Sequence, residues 1–559
     1  QFTFLEKGDE FGYVSNLAAA MQDYPLTNAI NAGFTYAKFD EQAIQNVLSQ
    51  LTPETLKVWY ISQQEETDSQ LHFYDGKYRI TDISAEEVNS WQEPSKVAMN
   101  LPKVNTLLPE NFAIYDLPEA LKKQPKIVFD EAGIKVWQFA SEDFPDQPKG
   151  LAKIYVNNPD NLSQIKNEIL LSIWADLYGL QTAALGTEAS IAGMRMSFSA
   201  LNGFELTLNG FTDKQALLLE NALTALNVDI TEQGFAQAVD RYVRNITNAG
   251  KAFPINQVIN KYRELIRSGV YSDADLIATA KKLTVADLQQ VMQSTLTNNQ
   301  VRIFAFGNYA QADVQAMVAK LQKVLPEQRT ITDYARSSRW APQEGEVLVY
   351  QKDIDVADVA VIDMHVHPKK GIEQRAQGLI LQSHFRTVAF DKLRTEEQLA
   401  YAVGAFAPAI DDFTGLGLYI QTPVKGPGDM QARFAVFKNE YAKALAEMSP
   451  ELFAQLKNAA LVSLKEQPKN LSDEVSPFLS DWYQEKFSFD TQAKLIAAVE
   501  QVTLADIQDF YEQTMMNSNA ARLSIQLRGT KFSEETFADL PNQTLIQELS
   551  ELKDIMQYQ

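Results

Sequence analysis

The sequence predicts an α+β fold made of homologous domains in tandem, with mainly antiparallel sheets flanked by helices. Residues 204–208 and 417–421 alternate apolar and polar side chains, as half-buried strands do. Such segments fall in runs, and long amphipathic helical patterns cluster apart from them, which favours α+β over strictly alternating strands and helices. Several segments also recur further along the chain at a nearly constant spacing, which indicates an internal duplication.

The duplication is clearest at two helix starts. Residues 283–288 read LTVADL and residues 502–507 read VTLADI, and an apolar-periodic helix follows each segment. Thr284 and Thr503 lie 219 residues apart, and each is predicted to be the N-cap of its helix. An Asp follows in the first turn in both copies. The same capping chemistry therefore begins the same element twice.

A second pair of segments has nearly the same spacing. Residues 235–238 read FAQA and residues 453–456 read FAQL, at an offset of 218 residues. Apolar strands at 301–307 and 521–527 follow the two capped helices. A constant offset across separate segments predicts two complete homologous domains.

The remaining elements follow in order along the chain. Residues 1–100 are expected to be the C-terminal tail of a preceding homologous domain, because a helix at about 40–51 comes before an apolar strand at 56–61. A linker rich in Pro and Asn is expected at 101–112. The two complete domains are predicted at 113–330 and 345–559, and a second linker is predicted between them at 331–344.

Size and composition exclude several classes of protein. The 559 residues are enough for about three domains, and 45% hydrophobic residues supply ample core material. The net charge of -22 disfavours nucleic acid as a partner, since phosphate binding needs clustered cations. The chain has no cysteine, which excludes disulfides and thiolate sites. No run of 18 apolar residues occurs, so we expect no membrane span.

The most informative motif is FDKLRTEEQLAYAV at 390–403. LRTE within it aligns with LGTE of the first copy, which places Gly186 opposite Arg394 and Gly193 opposite Tyr401. Residues that the two copies share are expected to build the fold. Arg394 and Tyr401 are not shared, so they are candidates for function.

The side chains of these two residues suit the binding of a peptide. Arg394 offers a rigid fork of donors for a carbonyl or carboxylate, and Tyr401 offers a neutral hydroxyl. Such groups hold a peptide backbone or stabilise a developing oxyanion. The alternative is a surface ion pair between Arg394 and Glu397, with Tyr401 half-buried and structural.

His365 and His367 form a second pair of candidate residues. Alternate residues of a strand share a face, so both imidazoles could meet one metal ion. The sequence offers no third ligand, and Pro368 and Lys369 suggest a strand end at the surface. We therefore expect an ordinary polar strand face, and no metal bound by this chain.

The 390–403 motif resembles the C-terminal half of the insulysin/pitrilysin family, the inverzincin or insulinase-type zinc metalloendopeptidases. The resemblance implies αβ-roll domains, four in a full-length enzyme, of which this chain would supply the end of the second and the complete third and fourth. Residues matching Arg394 and Tyr401 contact substrate beside the zinc site in that family. Ala400 departs from the usual Gly of the motif.

The family binds zinc through a His-x-x-Glu-His helix, which this sequence does not contain. The resemblance therefore implies a substrate-binding half without catalytic residues, inactive alone, whose partners are peptides and an N-terminal half that carries the zinc. It also suggests a periplasmic location, with the cytoplasm as the alternative. A non-catalytic scaffold or binding subunit built from the same domains is the competing interpretation.

Overall fold

The structure, a computed structural model, describes residues 2–35, 38–91, 100, 103–162, 164–325, 334 and 336–559. The chain forms two compact units, Gln1–Thr106 and Leu107–Gln559. Residues 101–102 of the first predicted linker and residues 331–333 and 335 of the second lie outside the described residues. The predicted domain boundaries therefore remain predictions.

The first unit has short elements, and almost none of its described side chains is buried. Its elements are helices α1 (Glu10–Asp23), α2 (Glu41–Leu48) and α3 (Ala85–Trp91), and strands β1 (Ser69–Gln70) and β2 (Lys77–Tyr78). The predicted helix at 40–51 is confirmed as α2, and Asp40 caps it by accepting a hydrogen bond from the amide of Ala43 at 3.0 Å.

The predicted strand at 56–61 is wrong. This segment is irregular, and the side chains of Trp59 and Ile61 are 84% and 91% exposed. A strand needs a neighbour for its ladder hydrogen bonds and an apolar surface for one of its faces. Among the described residues of this unit, the two-residue β1–β2 ladder provides neither a partner strand for residues 56–61 nor an apolar surface to cover them.

The second unit contains two large sheets and the helices that cover them. Its helices are α4 (Glu119–Lys123), α5 (Ile165–Gln181), α6 (Ala183–Ile191), α7 (Gln215–Thr224), α8 (Glu232–Ala249), α9 (Pro254–Leu265), α10 (Asp273–Ala280), α11 (Val285–Thr297), α12 (Gln311–Val324), α13 (Ile372–Phe390), α14 (Pro427–Ala446), α15 (Pro450–Leu464), α16 (Leu471–Tyr483), α17 (Thr491–Gln501), α18 (Leu504–Tyr511) and α19 (Leu552–Ile555). Its strands are β3 (Lys126–Glu131), β4 (Ile134–Phe139), β5 (Lys149–Asn157), β6 (Met194–Ser199), β7 (Gly203–Phe211), β8 (Gln300–Gly307), β9 (Val347–Asp353), β10 (Val359–Val366), β11 (Ala402–Phe406), β12 (Ala409–Ile410), β13 (Phe413–Thr422), β14 (Ala521–Arg528) and β15 (Thr544–Ile546).

The two sheets share an order of strands. The first sheet runs β3-β4-β8-β5-β7-β6, and the second runs β15-β9-β14-β10-β13-β11 with β12 attached to β13. Apart from the outermost β3 and β15 and the short β12, each strand of one sheet has a counterpart in the other. The β4–β8 and β9–β14 pairs are parallel, and the other pairs of this shared part are antiparallel. The predicted α+β fold with duplicated, mainly antiparallel sheets is confirmed.

The duplicated helix starts are also confirmed. Thr284 caps α11 and Thr503 caps α18, and in each case the Asp three residues later accepts a hydrogen bond from the amide of the Thr. These reciprocal bonds satisfy two of the donors that a helix N-terminus leaves unpaired. The repeated LTVADL-type sequence is therefore explained by its local role, which is to cap the helix that follows it.

The second sheet is covered on both faces. One face packs Val359, Leu418 and their neighbours against α13, α14 and α18. The other face packs Ile362 and Met364 against Val258 and Leu265 of α9, a helix that belongs to the first repeat in sequence. The two repeats therefore share a hydrophobic core, which fixes the position of one sheet relative to the other.

No single helix among the described residues is long and apolar enough to cross a bilayer. Helices α5 and α6 together have the length and apolar composition of a membrane span, but they are bent by 57° relative to each other. Ile169 and Trp174 of α5 are fully buried inside the protein.

Candidate substrate-binding site

The chain between α13 and β11 forms a tightly held turn. Helix α13 ends at Phe390 and continues as a π-helical turn, Asp391–Glu396. Leu393 in this turn and Leu399 after it are both buried in the core of the second repeat. The amide of Leu399 donates to the carbonyl of Leu393 at 3.0 Å, and Gln398 takes a left-handed backbone with φ of 52°. Two buried anchors thus hold the segment that carries Arg394.

Arg394 lies between two aromatic rings. Its guanidinium carbon is 4.8 Å from the ring centre of Phe390 and 5.2 Å from that of Tyr401. Stacking of this kind restricts the guanidinium without using its hydrogen-bond donors. The side chain of Tyr401 is 84% exposed. The structure therefore brings together the two residues that the sequence predicted, with Arg394 half-buried and Tyr401 presented to solvent.

The alternative ion pair between Arg394 and Glu397 is wrong. Glu397 instead accepts two hydrogen bonds from Arg433 of α14, at 2.8 and 2.5 Å, and Arg433 also contacts Glu440 at 2.9 Å. The hydrogen bonds from Arg433 lower the pKa of Glu397. Within the described part of the chain, Arg394 is half-buried and has no carboxylate partner.

The backbone of the first repeat explains the glycine at one of the two aligned positions. Gly193 precedes β6 as Tyr401 precedes β11, but Gly193 has φ of +75°, where side chains are strained. In the second repeat the positive φ falls on Gln398, so the position of Tyr401 is open to a large side chain. Gly186 lies in α6, where an added Cβ would meet no atom within 4 Å. Space alone therefore does not dictate Gly186.

The position of the pair relative to the sheet determines what it can do. Tyr401 lies directly before β11, the outermost strand on that side of the second sheet. Unpaired amide and carbonyl groups along an edge strand bind extended chains. A peptide near this edge would meet the forked donors of Arg394 and the hydroxyl of Tyr401. Both groups recognise backbone carbonyls or a carboxylate, whatever the side chains of the peptide.

The predicted polar surface at His365 and His367 is wrong, because both side chains are buried, at 6% and 4% exposure. His365 lies in a buried charged cluster with Asp363, Lys438 and Arg522. Arg522 donates two hydrogen bonds to Asp363, at 2.7 and 3.0 Å. Because an ammonium group only donates, the 2.9 Å contact between Lys438 Nζ and His365 Nε2 requires a neutral imidazole.

The charges in this cluster compensate one another. Burial alone would raise the pKa of Asp363, but Arg522 and Lys438 hold it well below its ordinary value. Burial, reinforced by the charge of Lys438, lowers the pKa of His365 to about 4. Burial also lowers the pKa of Lys438. The sequence shows the alternation of Asp363 and His365, but not that Lys438 and Arg522 lie on the elements packed against them.

The histidines described do not form a metal site. His367 stacks on Phe510 with ring centres 5.0 Å apart, and its Nδ1 accepts from the amide of Lys369 at 3.0 Å. His384 Nδ1 contacts the hydroxyl of Tyr441 at 2.7 Å. Among the described residues, no three His, Asp or Glu side chains are grouped so that they could hold a metal ion.

Sequence reasoning missed two residues that shape the site. Phe390 belongs to the motif, but its role as a platform for Arg394 requires the π-helical turn to be known. Arg433 lies far along the chain from Glu397 and gives no local signal. Its sole sequence-level indication is an Arg inside an otherwise amphipathic helix, which is usually a solvent-exposed position.

Two family models match the chain. The model described as the middle or third domain of peptidase M16 matches residues 2–279. The model described as PQQ synthase PqqF-like, C-terminal lobe domain 4, matches residues 380–479, which include Arg394 and Tyr401. The first description is of a peptidase domain, and together the two models reach into both repeats.

Relatives of known name give the same result. Protease 3 of Salmonella typhimurium is 25% identical over 531 residues, which cover 93% of this chain and 54% of that protein. Insulin-degrading enzyme of Drosophila melanogaster is 22% identical over 561 residues, covering 96% and 56%. The crystal structure of pitrilysin superposes with a TM-score of 0.82 at 23% identity, covering 99% of this chain and 59% of that one.

The duplicated sheets, the 390–403 motif and these matches define a peptidase-type fold, and the chain belongs to the M16, or insulinase, family of peptidases. The chain spans about half the length of the curated relatives it matches.

Proposed function

We propose that this chain is the C-terminal, substrate-binding half of an insulysin/pitrilysin-like zinc endopeptidase that encloses and cleaves peptides. The observation that carries the proposal is the pairing of the half-buried Arg394 with the exposed Tyr401. The guanidinium is held by Phe390 and Tyr401 and has no carboxylate partner in the described part of the chain. A fixed, uncompensated donor group at a sheet edge suits the recognition of a peptide backbone.

The residues of this chain that the structure describes do not fit zinc. Zinc needs three or four converging nitrogen, sulfur or carboxylate ligands. Lys438 occupies the Nε2 lone pair of His365, and the chain contains no cysteine. We therefore propose that the zinc ligands come from an N-terminal half of the same protein, and that this chain alone cleaves nothing.

The proposed contribution of this chain is to bind and orient the substrate. Arg394 would donate hydrogen bonds from its fork to a peptide carbonyl or carboxylate, and Tyr401 would donate its hydroxyl to an oxygen on which negative charge develops. Loss of one such donor typically reduces kcat on the order of 10²–10³-fold. Phe390 would keep the guanidinium from rotating away.

Peptide binding by the chain itself tests this proposal. A fluorescein-labelled, unstructured peptide is titrated with the wild-type chain and with R394Q, and fluorescence anisotropy is measured. We expect R394Q to weaken binding about tenfold or more, because it removes a charged hydrogen-bond donor. The matched control is K392Q, which removes a cation that is already paired with Glu396 at 2.7 Å on the same turn. An equal loss of affinity in both variants would mean that the peptide responds to overall charge and that Arg394 has no specific role.

The alternative is a non-catalytic scaffold built from the same domains. The two differ in the sequence upstream of this chain in its gene: a His-x-x-Glu-His helix supports the enzyme, and its absence from the complete protein supports the scaffold. Stoichiometric zinc binding and chelator-sensitive cleavage by the isolated chain would contradict the proposal that the zinc ligands lie in an N-terminal half. The periplasmic location implied by the resemblance is a further proposal, which cell fractionation tests.

A further inference from the structure

Strand β11 has an open outer edge next to the candidate site. It is the last strand of the second sheet on that side, and in the described part of the chain its backbone is hydrogen-bonded only through the ladder with β13. Tyr401 directly precedes this strand. An extended peptide that reaches Arg394 and Tyr401 can therefore continue along β11 as an added strand.

A peptide in this position would present its side chains to both faces of the sheet, because successive residues of a strand point to opposite sides. One face carries the turn with Arg394, whose anchors Leu393 and Leu399 pack in the core with α13 and α14. The other face is covered by α9 of the first repeat. Every second residue of the peptide would consequently face α9 and not the turn with Arg394.

Tyr419 of β13 lies across β11 on the face that α9 covers. It packs against the core that contains Val258 and Leu265 of α9, and it is the cross-strand partner of Gly404. A Cβ at position 404 would lie 2.5 Å from the hydroxyl of Tyr419 and 2.7 Å from the nearest carbon of its ring. Glycine therefore allows the ring to cover the outermost strand. Among the described residues, the hydroxyl has no hydrogen-bond partner.

Phe253 brings an exposed apolar side chain to the start of the same edge. It directly precedes α9 and is 72% exposed. Two residues later, the amide of Ile255 donates to Oε1 of Gln421 at 3.2 Å, and Gln421 is the cross-strand partner of Ala402. The N-terminal end of α9 is thereby fixed beside the first residue of β11, two residues before Gly404.

We propose that Phe253 and Tyr419 form a subsite for apolar side chains at alternate positions, i and i+2, of a peptide added to β11. The peptide residue that pairs with Ala402 would meet Phe253, and the residue that pairs with Gly404 would meet the ring of Tyr419. The small residues at 402 and 404 leave room for both side chains on this face. The hydroxyl of Tyr419 would bond to the backbone of the peptide.

The inference rests on the proposed function and deepens it. Arg394 and Tyr401 recognise backbone groups of any peptide, whereas this subsite selects its side chains. The edge continues directly from Tyr401, which favours the substrate peptide as its occupant. A second copy of the chain is a poorer fit, because two chains with a net charge of -22 each repel one another.

Two labelled peptides of identical composition test the spacing. Each carries two Phe residues in a Ser-rich sequence, at i and i+2 in one peptide and at i and i+1 in the other. In anisotropy titrations of the 559-residue chain, the first peptide should bind about fivefold more tightly, because both of its Phe side chains lie on the face of α9.

F253S should remove most of the preference for the i and i+2 spacing without lowering the melting temperature, since Phe253 is exposed. The matched control is L180S, because Leu180 at the end of α5 is also an exposed apolar residue, at 61%. It should bind both peptides as the wild type does. An equal loss of preference in F253S and L180S would overturn the subsite.

Y419F tests the hydroxyl, because it keeps the ring over Gly404. It should weaken the binding of both peptides about threefold at an unchanged melting temperature, since the lost hydrogen bond is made only to the peptide. Binding of both peptides by Y419F with the affinity of the wild type would overturn the role given to this hydroxyl.

R394Q separates failure of this inference from failure of the proposed function. It should weaken both peptides to the same degree and leave the preference for the i and i+2 spacing intact. Equal affinity of the wild type for the two peptides would overturn the subsite, even where R394Q weakens both. A preference that F253S removes, in a chain that R394Q does not affect, would support the subsite and contradict the role proposed for Arg394.

Sedimentation velocity tests the competing occupant. The wild-type chain should sediment as a monomer at the concentrations of the titrations. A dimer that F253S dissociates would assign the edge to a second copy of the chain and overturn the proposal. Failure of the wild type to bind either peptide would overturn both this inference and the proposed function.

Discussion

Arg433 of α14 binds Glu397 through two parallel hydrogen bonds, at 2.8 and 2.5 Å, and thereby ties the turn that carries Arg394 to the helix packed below it. Both side chains are largely shielded, at 13% and 26% exposure. A two-point contact of this geometry fixes orientation as well as distance. Arg433 is thus a positioning residue for the candidate site, which it does not itself enter.

We expect R433Q to weaken peptide binding without removing any group that contacts the peptide. The Gln leaves Glu397 without its two-point partner, so the turn is held less firmly. R433K should restore only part of the affinity, since an ammonium group cannot form the parallel pair. Anisotropy titrations of the three proteins with the labelled peptide provide the measurement.

The structural role of the same pair is measured separately. In urea unfolding, a double-mutant cycle of R433Q and E397Q should give a coupling of about 1–3 kcal/mol. A coupling near zero, together with unchanged peptide binding, would show that the turn holds itself through Leu393 and Leu399 alone.

In the complete enzyme that we propose, we expect Arg394→Ala and Tyr401→Phe to lower kcat/KM on the order of 10²–10³-fold. Neither change should lower the melting temperature much, because the Tyr401 side chain is 84% exposed and Arg394 has no ion pair within the described residues. Steady-state kinetics and thermal melts of the same preparations test both statements. A large fall in melting temperature that accounts for the lost activity would assign the two residues to the fold.

Removing the charge of Asp363 should destabilise the second repeat strongly. D363N leaves Arg522 and Lys438 buried without their shared anion, and breaking a buried ion pair from one side costs about 3–5 kcal/mol. Chemical denaturation at neutral pH provides the value. The matched control is D353N, because Asp353 binds Arg528 at 2.6 Å with a side chain that is 68% exposed, and it should cost about 1 kcal/mol or less.

The stability of the chain should fall as the pH drops below about 6.5. The unfolded state protonates His365 near 6.5, whereas the folded state holds its pKa at about 4. Protons therefore bind the unfolded state preferentially in this interval, at a cost of up to about 1.4 kcal/mol per pH unit for one group. His367 and His384, whose pKa values are also lowered by burial, act in the same direction.

The contribution of His365 is separated from that of the other two histidines by H365Q. Unfolding free energies of the wild type and H365Q at pH 7 and pH 5 should show a smaller difference between the two pH values in the variant. An identical pH dependence would mean that Asp363 already compensates a charged imidazole at this position.

Features governed by local chemistry are predictable from the sequence. The caps at Thr284 and Thr503 depend on residues close in sequence, so the local sequence is sufficient to predict them. The same holds for strands such as β7 and β13. The segment 56–61 has an equally clear strand pattern but forms no strand, because a strand depends on a partner that the pattern does not contain.

The sequence nominates the two residues of the candidate site, but it does not show which residues hold them in place. Arg394 and Tyr401 stand out by their difference from the first repeat and by the motif. Arg433 and Lys438 do not, because each meets its partner across a long sequence separation, after α14 has packed on the sheet. The prediction for His365 fails for the same reason: the basic residues that follow it suggest a surface, and the core that covers it comes from later elements.

The parallel pairing of β4 with β8 has a consequence for synthesis of the chain. Ile134 pairs with Val301, and Val347 pairs with Arg522, so each sheet closes only when a strand made more than 160 residues later arrives. At about 5–20 residues per second, β4 waits roughly 8–30 s for β8 after leaving the ribosome. During that interval its apolar face has no permanent neighbour, and contacts of such long range also form slowly. Each repeat is therefore exposed to misfolding and aggregation in proportion to the time its last strand takes to be translated.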